Sequence, residues 1–234
     1  YYNEDPVFRR YKHHLMTGTF DYVFLENYIL VLSHDEVVHG KGSMFNKMAG
    51  SHQDKFGALK TAYTMMMGHP GKKLLFMGQD FGQEAEWDYK GELQWHLCDD
   101  AGHRDVMDCY RRLLHLYASR GVLYNDAGRE NTFEWINNAD YMRDIFSFIR
   151  RNPWNYNDAL VFVCNFAPVE RAPMEIGVPV SGDYKLVFST YADEEEYSLT
   201  AIKEECDGRP YRLVFTLRPY ESLIFAVPYH ESTE

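Results

Sequence analysis

VLSHDEVVHGKG, residues 31–42, sets His34, Asp35, Glu36 and His39 directly after an apolar run. That run, Tyr28-Ile29-Leu30-Val31-Leu32, is apolar at every position, the pattern of a parallel strand covered by helices on both faces. In α/β folds the residues just beyond the C-terminal end of such a strand face the mouth where chemistry is placed. Ser33-His34-Asp35-Glu36 also fits the S-x-x-E capping box, so a structural role is available to the same residues. A carboxylate near a sugar ring can stabilise an oxocarbenium-like transition state, and a neutral imidazole can donate to a ring hydroxyl. His34 and His39 are spaced i, i+5 and not the i, i+4 of HExxH, so no metal is expected here.

Outward from this stretch, short apolar runs alternate with helical patterns over residues 1–124. Asp5-Pro6 opens a helix through DPVFRRYKHHLM, with proline at the first helical position. QDKFGALKTAYTMMMGHPG repeats apolar residues at helical spacing until Gly68, Pro70 and Gly71. Lys73–Met77 reads as a second buried strand, and Val106, Tyr110, Leu113, Leu114 and Tyr117 mark another amphipathic helix. Over residues 125–234 the period changes to short strands: TFEWI, DIFSFIRR, ALVFVCNF, YKLVFST, YRLVFTL and ESLIFAV. The expectation is α/β followed by all-β, the second part an antiparallel β-sandwich. The acidic run Asp193-Glu194-Glu195-Glu196 reads as a solvated loop face.

A chain of 234 residues with 45% hydrophobic and 16% aromatic content has the makings of a buried core. Its formal charge of -11 offers no basic stripe for phosphates, which argues against nucleic acid and leaves a neutral, hydroxyl-rich ligand open. Cys98, Cys109, Cys164 and Cys206 form no CxxC pair and read as free thiols in a reducing compartment. There is no apolar stretch of about 18 residues and no basic-then-apolar leader, so a cytoplasmic location without membrane partners is expected. The start at Tyr1-Tyr2-Asn3 reads as though cut from something longer.

LSHDEVVHGKGS, then HPGKKLLFMGQDFGQEAEW, then LQWHL, three motifs in one order, resemble the bacterial-type glycogen branching enzymes, the 1,4-α-glucan transferases of the α-amylase superfamily. The resemblance covers almost the whole chain. It implies the C-terminal portion of a (β/α)8 TIM barrel over residues 1–124, followed by a β-sandwich over 125–234. It also implies an α-glucan such as glycogen or amylose as substrate, no cofactor, and the N-terminal part of the barrel as the missing partner.

Carried over residue by residue, the resemblance makes Asp35 the third catalytic carboxylate, His34 its substrate-binding neighbour, and Trp87 a residue near the glucan-binding mouth. The family's nucleophile and acid/base lie on earlier barrel strands, and their motifs are absent here, so this chain alone is expected to be inactive. Strands without their barrel neighbours would expose edges and apolar faces and could drive self-association.

Departures from the family pattern fall at Asp80, at Met48-Ala49-Gly50 and at Ser189-Thr190-Tyr191-Ala192-Asp193. They bear on substrate preference more than on family. The rival readings are a hydrolase of the α-amylase superfamily and a non-catalytic glucan-binding module using Trp135, Trp154 and Tyr156.

Overall fold

The structure, a computed structural model, describes residues 1–20, 23–25, 28–125, 130–192 and 197–229. Short helices α1 (Pro6–Arg9) and α2 (His14–Thr17) precede strand β1 (Ile29–Leu32). Helices α3 (Met44–Lys47) and α4 (His52–Gly68) lead to β2 (Lys72–Leu75), and α5 (Ala101–Ser119) and α6 (Gly121–Tyr124) complete the helical layer. Eight strands follow: β3 (Phe133–Asn137), β4 (Ile145–Asn152), β5 (Asn155–Asn165), β6 (Arg171–Val178), β7 (Asp183–Ser189), β8 (Ser198–Thr200), β9 (Tyr211–Leu217) and β10 (Ser222–Ala226).

These eight strands build a two-layered antiparallel domain. One sheet has the order β3-β4-β5-β10-β7-β8 and the other pairs β6 with β9. Successive side chains on a strand point to opposite faces, and in the central strands both faces are covered. Ile145, Ile149, Val161, Val163 and Phe225 pack between the two sheets with Met174, Ile176, Leu213 and Leu217. Phe146, Phe148, Phe162, Cys164 and Ile224 face the other way, into a core shared with Phe56, Leu59, Tyr63 and Met67 of α4. Phe148 and Phe162 stack with ring centroids 4.8 Å apart. Double coverage explains why DIFSFIRR and ALVFVCNF are almost continuously apolar instead of alternating.

Polar contacts fasten the helical layer to this sheet. Thr61 donates to the Tyr220 carbonyl at 2.6 Å, and Lys60 donates to the Thr190 carbonyl at 3.1 Å while pairing with Asp105 at 2.6 Å. Arg9, fully buried, donates to the carbonyls of Glu4, Tyr2 and Phe166 and so ties the N-terminal segment to the end of β5.

Several expectations need correction. The helix expected through DPVFRRYKHHLM is broken into α1 and α2, with turns between them. Strands β6 and β8 were not foreseen, because Pro173 and Gly177 interrupt the pattern of the first and the second has three residues. The strand expected to be covered on both faces is not: Ile29 is 58% and Val31 49% exposed. Among the described residues no barrel is formed. Where the barrel end was expected, β1 and β2 make a two-stranded parallel ladder, Ile29 opposite Lys72 through Leu32 opposite Leu75, and two strands cannot close. The acidic run 193–196 lies outside the described residues.

Cys98, Cys109, Cys164 and Cys206 are free thiols, and burial pushes Cys109 and Cys164 up to about 12, leaving them inert. No helix among the described residues is long and apolar enough to cross a membrane.

One glycine in the sandwich is indispensable on steric grounds. A Cβ on Gly177 would lie 2.0 Å from the Cys206 carbonyl oxygen, which belongs to a turn closed by backbone bonds between Cys206 and Arg209. Gly177→Ala must displace that backbone, and a loss of about 1–3 kcal/mol is expected. Thermal unfolding of the variant beside wild type measures it, and an unchanged midpoint would contradict the steric argument.

Candidate functional site

The site is built where β1 and β2 end. Phe76 N–H donates to the Leu32 carbonyl at 2.9 Å, and the Gln79 side-chain amide donates to the same oxygen at 3.2 Å, which locks the two strand ends together. Beyond Leu32, Ser33 is extended and His34–Glu36 form a single 3-10 turn. Ser33 Oγ accepts from the Asp35 N–H at 3.2 Å.

The expected capping box therefore does not form at residues 33–36. The 3-10 turn brings the donor one residue earlier, Asp35 N–H in place of Glu36 N–H, and the Glu36 side chain turns away to Lys47, 3.3 Å distant. A true capping box occurs at Ser51 and Asp54, at the start of α4.

After the turn, buried Val37 and Val38 anchor the chain, and His39, Gly40 and Gly42 adopt positive φ, which carries the loop round sharply. Two bonds then lace this loop to the one following β2: Trp87 N–H to the Val37 carbonyl at 2.9 Å, and Gly42 N–H to Glu86 Oε1 at 3.2 Å. The lacing brings the three candidate residues into one corner. His34 Nε2 lies 3.2 Å from Asp35 Oδ1, and the His34 ring is 6.1 Å from Trp87 and 6.0 Å from Phe76. Trp87 meets Phe76 edge-on at 5.0 Å, so its ring is packed into this corner.

The main chain of Asp35 is fixed on both sides, its N–H donating to Ser33 and its carbonyl accepting from Lys41 Nζ at 2.7 Å, while its carboxylate meets His34 alone among the described residues. Its side chain is 70% exposed and that of His34 53%, so both present functional groups to solvent. The nearby acids are committed elsewhere: Glu36 to Lys47, Glu86 to the Gly42 N–H, and Glu84 to two histidines. The corner therefore offers one open carboxylate, one imidazole and an aromatic edge, which suits stabilisation of positive charge and hydroxyl recognition.

His34 and His39 are not brought together as ligands. The one group of metal-ligating side chains found among the described residues is His52, Glu84 and His103. It was invisible in the sequence because its members come from α4, the loop after β2 and α5, with no local spacing to betray them. Of the aromatics considered for sugar binding on the sandwich, Trp135 is packed against Phe20, Phe133 and Phe148, whereas Trp154 is 70% exposed at the β4–β5 turn. The side chain of Tyr156 lies outside the described residues.

Comparison with known proteins follows the same division. Residues 135–228 match the family described as the α-amylase C-terminal all-β domain. The structure is similar to a crystal structure of α-amylase from H. orenii, with TM-score 0.54 and 19% identity over 86% of this chain and 39% of that one. It is also similar to a pullulanase from Anoxybacillus sp. LM18-11 complexed with maltotetraose, with TM-score 0.61 and 12% identity over 94% of this chain and 31% of that one. At such identities these likenesses speak for the fold alone.

In sequence the chain is 40% identical over 232 residues to a 1,4-α-glucan branching enzyme from Halothermothrix orenii, covering 96% of this chain and 37% of that protein. A branching enzyme from Butyrivibrio fibrisolvens is 42% identical over 232 residues, 96% of this chain and 36% of that protein. The chain belongs to the 1,4-α-glucan branching enzyme family of the α-amylase superfamily. It spans little more than a third of the length of these curated relatives.

Proposed function

We propose that this chain is part of an enzyme that cleaves an α-1,4-glucan and transfers the released chain to a 6-hydroxyl, making α-1,6 branches in glycogen in the cytoplasm. The carrying observation is the identity of about 40% with branching enzymes along 96% of the chain. On this reading residues 1–124 are the end of the (β/α)8 barrel and 125–234 its β-sandwich. The half-bare face of β1 and β2, with Ile29, Val31 and Leu74 exposed, is where the remaining barrel strands pack. In their absence the same face favours self-association.

The chemistry divides between this chain and the rest of the barrel. A carboxylate nucleophile there displaces the glucan at the anomeric carbon: the α-1,4 bond breaks, a glycosyl ester forms, and an acid/base carboxyl gives its proton to the leaving 4-oxygen. The acceptor's 6-hydroxyl then attacks the ester and loses its proton to the same acid/base, which regenerates both groups. Retention requires that pair of carboxyls to stand about 5 to 5.5 Å apart. Asp35 is the third carboxylate: it faces the donor ring, opposes the positive charge as the bond loosens and takes hydrogen bonds from ring hydroxyls. His34 donates to a hydroxyl of the same ring, and Trp87 lends its edge to the mouth. No step calls for a cofactor.

The test is an amylose branching assay on the 234-residue chain beside the complete enzyme. The complete enzyme is expected to form α-1,6 linkages and the chain alone none, because one stabilising carboxylate replaces neither a nucleophile nor a proton donor. New branches made by the chain alone, or hydrolysis without branching by the complete enzyme, would overturn the reading.

A further inference from the structure

We propose that His52, Glu84 and His103 form a binding site for a single divalent transition-metal ion of the zinc class, which clamps the loop carrying Trp87 to the first turns of α4 and α5. The site goes beyond the branching reaction and does not depend on it.

The argument starts from which ring nitrogen carries hydrogen. His103 is buried, 1% exposed, and its Nδ1 lies 2.9 Å from the Phe81 carbonyl oxygen. A carbonyl oxygen can only accept, so Nδ1 carries hydrogen, and whenever the ring is neutral its Nε2 keeps a lone pair. That lone pair faces Glu84 Oε1 at 3.4 Å, and His52 Nε2 reaches the same oxygen at 2.7 Å. A lone pair opposite a carboxylate oxygen is repulsive until a cation lies between them, either a proton on the ring or a metal ion shared by both groups. An Nδ1–H bonded to a backbone carbonyl is also the arrangement that orients a metal-ligating imidazole through its other nitrogen.

The geometry and the surroundings agree. Two imidazole nitrogens and one carboxylate oxygen lie within 4.8 Å of one another. Zinc bond lengths of about 2.0–2.1 Å set tetrahedral donor atoms about 3.3 Å apart, so His103 and Glu84 already have that separation. His52, 62% exposed and on the first turn of a helix, has freedom to open its shorter contact. Two histidines and a glutamate make a recognised zinc donor set with a fourth position for water.

Glu84 is fixed from behind. Its N–H donates to Gln94 Oε1 at 3.1 Å, and its carbonyl accepts from Asn46 Nδ2 at 2.7 Å. Rings of Phe45 and Phe56 wall the histidines, with Phe56 edge-on to both at 5.1 and 4.9 Å.

The experiment uses the 234-residue chain, stripped with chelator and dialysed against zinc chloride, with bound metal counted by elemental analysis and cobalt(II) substituted to read coordination from its visible absorption. One zinc per chain and a tetrahedral cobalt spectrum are expected. His52→Ala and Glu84→Gln, both at partly exposed positions that leave His103 and the walls in place, should each weaken binding at least ~10-fold, the lower end of what losing even an outer-shell partner costs. His96→Ala, on the exposed turn beside Trp95, should not. Binding well below one equivalent, or binding equally indifferent to His52→Ala and His96→Ala, would overturn the proposal and leave the group as a histidine–carboxylate ion pair.

Discussion

Asp35→Asn in the complete enzyme is expected to lower branching of amylose by about 10³-fold, the upper range for removing one preorganised electrostatic stabiliser from an active site. The substitution keeps size and shape and removes the charge. It should also leave the local fold intact, because Asp35 is held through its main chain: the Ser33 cap accepts from its N–H and Lys41 donates to its carbonyl. With the carboxyl 70% exposed, little stability depends on it. The effect should therefore appear in the turnover number, with an unchanged thermal midpoint and only a modest change in the half-saturating glucan concentration. Iodine colour change and debranched-chain analysis read the activity. A variant within fivefold of wild type would remove Asp35 from the chemistry, whereas one that unfolds early would show that the 3-10 turn needs the charge.

How far the residues announced this arrangement varies with the range of the interaction involved. His34 and Asp35 were legible because an apolar strand ends directly at them, whereas Trp87 was singled out only through the resemblance, and its place beside them follows from the second strand whose loop carries it. Parallel pairing of those strands is enough to bring the loops together. The main antiparallel strands were legible too, since DIFSFIRR and ALVFVCNF are too short and too rich in β-branched and aromatic residues for helices. The cap at Ser33 was misjudged by one residue because the S-x-x-E pattern does not say whether an α or a 3-10 turn follows. The bareness of β1 could not be read either, since Ile29 and Val31 look like core residues and only the positions of other strands decide. The His52, Glu84 and His103 group was the least legible, because nothing local links three side chains on three elements.

The second large effect is expected at Arg150, whose replacement by Met should cost about 3–5 kcal/mol of stability, although the site is far from the candidate active corner. Arg150 is 0% exposed on β4 and points to the helical layer beside Phe148. Its guanidinium donates to the carbonyls of Gly68 at 2.7 Å, Val122 at 3.2 Å and Thr132 at 3.1 Å. Gly68 is the last residue of α4, where carbonyls lack partners within the helix and the dipole favours a cation, so one side chain caps α4 and pins α6 and the entry to β3. Met preserves the apolar stem but supplies no donor, and each buried carbonyl left without one costs about 1–3 kcal/mol. For a chain of this size the thermal midpoint should fall on the order of 10 °C. Amide exchange should locate the damage: protection should drop first at the C-terminal end of α4 and in α6, while β6 and β9, which pack on the far sheet, retain theirs. A loss under about 1 kcal/mol, or a uniform fall in protection, would mean that apolar packing of α4 against Phe148 and Phe162 suffices to join the two layers and that Arg150 fills space between them.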